Sequence, residues 1–140
     1  SRAPENQQTR YFDVARYQLN PYQDRRKEAT GEVFPQVTAV PLNGHTPGHT
    51  GYLVESSGEA LLIWGDICHV PDIQVRVPEV TMAFDTDQAA AIATRRRAFD
   101  MAVADRLLVA GMHLHFPGFA HMDRDGDGYR MIPEAWTFTA

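Results

Sequence analysis

The run Asn43-Gly44-His45-Thr46-Pro47-Gly48-His49-Thr50 constrains the fold more than any other stretch of this chain, because it must turn sharply between two apolar runs. Pro47 fixes φ, and Gly48 permits a bend that a residue with a Cβ resists. Val37 to Leu42 before the turn and Tyr52 to Val54 after it both read as strands. The turn therefore falls at a sheet end, where binding and reacting side chains are commonly carried on loops. Histidine is the commonest metal ligand through a neutral ring nitrogen, which makes His49 and His45 candidate ligands. The same pair also suits a plain β-turn with histidine caps.

At 140 residues the chain is expected to form one domain with a sizeable core. Its longest apolar runs, Ala60 to Trp64 and Leu107 to Ala110, are far too short to cross a bilayer, and Ser1 to Arg10 lacks the apolar core of a signal peptide. No membrane partner is expected. A net charge of -5 argues against nucleic acid, which needs a basic surface. Arg25-Arg26-Lys27 and Arg95-Arg96-Arg97 read as solvated helix faces. Cys68 is alone, so no intrachain disulfide forms. The compartment stays open, with the cytoplasm favoured for a soluble chain. A Cys68–His69 nucleophilic pair is disfavoured, since neighbours on a strand point to opposite faces.

Residues 9–27 read as helical with a break at Asn20-Pro21, and their aromatics are expected either to enter the core or to cover a pocket. Ser56 to Glu59 reads as a hairpin turn, returning the chain through a strand into Gly65-Asp66. Val70 to Val80, with prolines at 71 and 78, reads as an irregular connection. A helix is expected to start after Asp85 or Thr86, with Gln88 completing a capping-box-like start, and to run to about Ala104. Its apolar face collects Ala89, Ile92, Phe99 and Val103, with Arg96 at the edge. Leu107 to Gly111 then forms a short strand that delivers Met112 to Gly118. This order indicates a mixed α/β layered fold.

Three strand ends thus hold candidate ligands, namely His49, Asp66, and His113 or His115. Imidazoles with a carboxylate suit zinc, manganese or iron. The runs Gly44 to Gly51, Trp64-Gly65-Asp66, and Gly111-Met112-His113 before Phe116-Pro117-Gly118 resemble the C-terminal half of a metallo-β-lactamase-fold hydrolase. The resemblance implies half of an αββα sandwich, a mixed sheet with helices on one face. It divides the chain into leading helices over 1–30, a metal-ligand core over 31–122 and a C-terminal hairpin over 123–140. It implies a two-zinc centre in which His49 binds the first metal, Asp66 bridges and His113 binds the second. His115 ranks behind His113. His45 would stand behind the ligands and orient the loop by a hydrogen bond, and His69 and His121 are either substrate-facing or ordinary surface histidines.

The family's other signature, His-x-His-x-Asp-His, does not occur in this sequence. The resemblance therefore implies a metal-dependent hydrolase of a small-molecule amide, lactone or thioester that is incomplete as this chain, and whose sheet face is covered by a missing N-terminal half or by a second copy. A catalytically silent half-fold that dimerises through its sheet is the alternative. Asp123-Arg124-Asp125-Gly126-Asp127-Gly128, with Glu134 in the twelfth position, opens a third reading as a calcium loop. Against it stand Pro133 and the lack of a helix before the loop, which favour a hairpin turning at Asp127-Gly128.

Overall fold

Alternating apolar residues in short runs, broken by glycine and proline, give seven strands. The computed structural model describes residues 8–136. The ends of the expected leading and C-terminal segments lie outside the described residues. In chain order the strands are β1 (Gly31–Phe34), β2 (Val37–Pro41), β3 (Thr50–Ser56), β4 (Glu59–Ile63), β5 (Leu108–Ala110), β6 (Phe119–Asp125) and β7 (Gly128–Pro133). They form one sheet in sequence order. Every neighbouring pair is antiparallel except β4 and β5. That parallel pair needs a crossover, and the helix Gln88–Ala104 lies within it.

Before the sheet, α1 (Val14–Leu19) sits between a π-helical stretch (Gln8–Asp13) and a 3-10 stretch (Asn20–Arg25), with the break at Asn20-Pro21 as read from sequence. The aromatics of this segment do not join the core. Tyr11, Phe12, Val14, Tyr17, Leu19 and Tyr22 are all exposed. Each helical piece is a turn or two long, too short to present a continuous apolar stripe to the sheet.

The connection after β4 contains one helical turn, α2 (Pro71–Gln74), with Pro71 in the first position that suits it. Next comes α3 (Gln88–Ala104), capped by the Asp87 side chain, which accepts from the Ala90 amide. The expected capping box is replaced by this single aspartate. The buried face of α3 also differs from the expected one, since it consists of Ala91, Thr94, Arg95, Ala98, Phe99 and Ala102. Small alanines let the helix approach the sheet closely, whereas Ala89 is exposed and Ile92 and Val103 are half-buried.

The core lies between α3 and one face of the sheet. Phe99 packs against Trp64 at 5.4 Å and against Tyr129 at 5.1 Å between ring centroids, with Leu62, Val109, Ala120 and Met122 beneath. Full burial of each such side chain contributes roughly 1.5–3 kcal/mol. The opposite sheet face is apolar too. Val37, Val54, Leu61 and Leu108 lie in one register row, and Ala39, Tyr52, Ile63, Ala110 and Phe119 in the next. Phe119 is exposed, and Tyr52, Val54, Leu61, Ile63 and Leu108 are half-buried.

Arg95 is the largest departure from the solvated helix face read for residues 95–97. It is 1% exposed. Its Nε donates to the Ile67 carbonyl at 2.6 Å, and its Nη1 donates to the carbonyls of Pro78 at 2.6 Å and Val80 at 2.9 Å. Burial opposes the guanidinium charge, and these oxygens satisfy its donors. Arg95→Leu is expected to lower unfolding free energy by about 3 kcal/mol or more, because several buried carbonyls lose their partner. Arg97→Ala, on the exposed side, is expected to cost under about 1 kcal/mol. Urea denaturation followed by circular dichroism measures both.

Candidate metal centre

The loops that carry the candidate ligands leave the sheet at one end of its central strands. Pro41 at the end of β2 pairs with Thr50 at the start of β3, while Tyr52 pairs with Ile63 and Ile63 with Ala110. Residues 42–49, 64–70 and 111–118 therefore emerge side by side. The first half of α3 and the residues just before it hold the first of these loops. Thr94 donates to the Asn43 carbonyl at 2.7 Å, and Thr86 donates to the His45 carbonyl through its backbone N–H at 3.0 Å and its hydroxyl at 2.6 Å. Gly44, at φ 136°, lies so close to the helix that an added Cβ would sit 2.3 Å from the Ala91 nitrogen.

Hydrogen bonding fixes the state of His49. Its Nε2 lies 2.9 Å from the Asp66 backbone N–H, a donor, so Nε2 must offer a lone pair. The ring proton then sits on Nδ1 and is donated to the Leu42 carbonyl at 3.1 Å. Burial pushes the His49 pKa below its ordinary value, in keeping with a neutral ring. Gly65, at φ 59°, makes this approach possible, since a Cβ there would lie 2.7 Å from His49 Nε2.

His45 has a different environment. Its Nδ1 is 3.0 Å from Asp85 Oδ1, and its Nε2 is 3.7 Å from Asp66 Oδ2. The Asp85 side chain is 1% exposed, and its Oδ2 accepts from the Met82 N–H at 2.9 Å. Burial alone would raise the Asp85 carboxyl, but the Met82 amide and the His45 ring outweigh it and hold it below the usual carboxylate range. Sequence reasoning assigned Asp85 to a helix start. Its neighbour Asp87 caps the helix instead, which frees Asp85 to turn inward.

Asp66, His69 and His113 come together in front of this pair. One ligand atom from each lies within 4.8 Å of the others, and His113 Nε2 is 3.4 Å from Asp66 Oδ1. His45, His69 and Asp85 form a second group by the same measure. His69 is therefore central, with its ring 4.7 Å from the rings of both His45 and His113. Burial lowers its pKa, and the two neighbouring histidines lower it further. Two buried atoms in this cluster, Asp66 Oδ1 and His69 Nδ1, have no hydrogen-bond partner. Buried polar atoms of this kind take a partner, which a water or an ion can supply. Two imidazoles and a carboxylate fit zinc, manganese or iron. Two ligands of one zinc stand about 3–4 Å apart, so closure on an ion asks for shifts of about an ångström.

The remaining histidines lie elsewhere. His115 is exposed and pairs with Asp72 Oδ2 at 3.1 Å. His121 faces the other end of β5, where its Nδ1 is 3.1 Å from the Leu107 carbonyl. The aspartate-rich tail forms the β6–β7 hairpin, which starts at Phe119 and pairs Asp125 with Gly128. Asp123 is spent on an ion pair with Arg130 at 2.9 Å across the strands.

No protein-family model matches the chain, and a search of curated proteins found no match either. Solved structures do match. The hydrolase AbOPH of the beta lactamase superfamily aligns with a TM-score of 0.80 at 29% identity, over 96% of this chain and 49% of its own. AidC, a dizinc quorum-quenching lactonase, aligns with a TM-score of 0.84 at 23% identity, over 96% of this chain and 46% of its own. The chain carries half of a metallo-β-lactamase fold. It spans about half the length of these structures. The expected mixed sheet with its helix-covered face is present. Among the described residues, no helix is long and apolar enough to cross a membrane.

Cys68 sits beside this centre without access to it. It is fully buried, and burial pushes its thiol up to about 12. A nucleophilic role needs the thiolate, which this environment suppresses. The native protein is expected to leave a disulfide reagent unreacted at pH 8 for many minutes, and to give one thiol per chain in guanidinium. Rapid native labelling would contradict the burial.

Proposed function

We propose that this chain supplies the metal-binding half of a metal-dependent hydrolase acting on an amide, lactone or thioester. The observation that carries this reading is the convergence of Asp66, His69 and His113, one ligand atom of each within 4.8 Å of the others, at the open end of the central strands. The hydrolase and dizinc lactonase of the same fold lend it support. A divalent ion, held there by Asp66, His69 and His113, would polarise a carbonyl and make water more acidic. This chain's own residues do the rest. Asp85 holds the His45 ring through Nδ1, so that Nε2 is aimed at the Asp66 carboxylate. Phe84 stands edge-on to His45 and His69 at 5.8 and 4.9 Å and walls the cluster on one side. No side chain is assigned the part of a nucleophile.

The apolar sheet face opposite α3 favours a partner. We assign that role to a polypeptide carrying the complementary half of the fold, because this chain spans only 46–49% of the aligned structures. Apolar area left in water costs roughly 25 cal/mol per Å², which drives such a face to find cover. A stable homodimer in sedimentation equilibrium would transfer the role to a second copy. A cooperatively folded monomer at all concentrations, unable to bind the complementary half, would remove it.

Zinc is expected to raise the melting temperature and a chelator to reverse the rise. At a zinc concentration of 100 times Kd the gain is about 2.7 kcal/mol. Asp66→Asn is expected to lose most of that gain. Hydrolysis of chromogenic lactam, lactone and thioester substrates is expected once the zinc-loaded chain is combined with the complementary half. A wild-type chain whose melting ignores zinc, manganese and iron would defeat the metal-dependent reading.

A further inference from the structure

We propose that the cleft between α2, residues 114–115 and the β6–β7 hairpin binds a free α-amino acid with an apolar side chain. The cleft has a volume of about 390 Å³, within the range of small-molecule sites. It lies on the α3 side of the sheet, since Ala120 and Tyr129, which line it, belong to the core cluster. The complementary half proposed above would cover the other face and leave this cleft open. None of the lining residues belongs to the metal cluster, so the inference does not depend on metal binding. Backbone contacts keep the cleft in shape. The Tyr129 N–H donates to the Val75 carbonyl at 3.0 Å, and a Cβ added to Gly128 would sit 2.1 Å from the Arg76 carbonyl oxygen. The residues just after α2 are thereby tied to the hairpin turn. Apolar side chains form the interior, with Val75 and Ala120 buried and Leu114 and Met131 half-buried against the core.

The charges on the wall select the ligand. Arg76 and Arg130 line the cleft together with Asp72 and Asp125. Two of these four are spent, because Arg130 pairs with Asp123 at 2.9 Å and Asp72 pairs with His115 at 3.1 Å. Arg76 and Asp125 are left over, and among the described residues neither has an ion-pair partner. A lone anion would gain at Arg76 and lose at Asp125, and a lone cation would do the reverse. A molecule that carries both a carboxylate and an ammonium gains at both. The planar fork of arginine suits a carboxylate, and an aspartate accepts from an ammonium. A free α-amino acid holds these two groups one carbon apart and has a side chain left for the apolar interior.

The test uses the full chain with L-phenylalanine as the probe. Calorimetric titration is expected to saturate at one molecule per chain, with nitrogen-15 amide shifts concentrated at Leu114 and Met131. Phenylalaninamide lacks the carboxylate and N-acetylphenylalanine lacks the ammonium. Each is expected to bind at least roughly tenfold more weakly, the loss of one charge-assisted hydrogen bond. Glycine, with no side chain for the interior, is expected to bind more weakly than phenylalanine. Arg76 and Asp125 are exposed, so variants at both positions are expected to melt as the wild type does. Arg76→Gln should lose the preference for phenylalanine over its amide and keep the preference over the N-acetyl form, and Asp125→Asn should do the reverse. No saturable binding to the folded wild type, equal affinity for phenylalanine and either derivative, or shifts that avoid Leu114 and Met131 would overturn the inference.

Discussion

A guanidinium shut away from water organises this molecule. Arg95 lies on the buried face of α3 and reaches carbonyls on both arms of the long connection between β4 and α3. An isolated buried cation is strongly unfavourable, so the segment must close around it with oxygens correctly placed. That requirement shapes residues 67–80. Gln74 extends the arrangement from Val80 to the amides of His69 and Val70, so the position of a site histidine follows from a helix residue 26 places further along the chain. Lysine would not serve as well, since a point charge on a flexible stem cannot offer several donors in a fixed plane.

The centre that results has two layers with different duties. Both ring nitrogens of His49 bond backbone groups, and Asp85 bonds the His45 Nδ1 and the Met82 amide. They hold shape. Asp66, His69 and His113 face the open edge with atoms that lack protein partners or lie just beyond hydrogen-bonding distance. Such atoms are costly in a closed core, and a cation bound there would repay their desolvation.

Much of this architecture is legible in the sequence, and the legible part has a common cause. Gly44 to Gly51 announces a forced turn, and the short apolar runs ending in Asp66 and before His113 announce strands whose ends meet, because period-two alternation and glycine-proline punctuation are local signals. The illegible part is tertiary. Arg95 sits in a run of three arginines whose charge masks the stripe of Ala91, Ala98 and Ala102, and alanine is too weakly apolar to mark a buried face. Asp85 and Asp87 are equivalent to any rule for helix starts, and only the approach of His45 from 40 residues away distinguishes them. The same holds for His69. Its neighbours in sequence say nothing of the two imidazoles on either side of it. The aromatics before β1 mislead in the other direction, since composition alone cannot tell a short apolar helix that docks from one that stays exposed.

The contact between Thr94 and the Asn43 carbonyl joins positions 51 apart in the chain, and Thr86 reaches back 41 to the carbonyl of His45. Both need the start of α3 to dock against the β2–β3 loop, a non-local event in folding. The histidines thus come into register late, after the sheet and helix have met. In the unfolded chain the same side chains are free to capture an ion in any pairing, and each wrong pairing must dissolve before the crossover can close. A metal ion met only after folding would therefore find fewer wrong pairings open to it than one met by the unfolded chain.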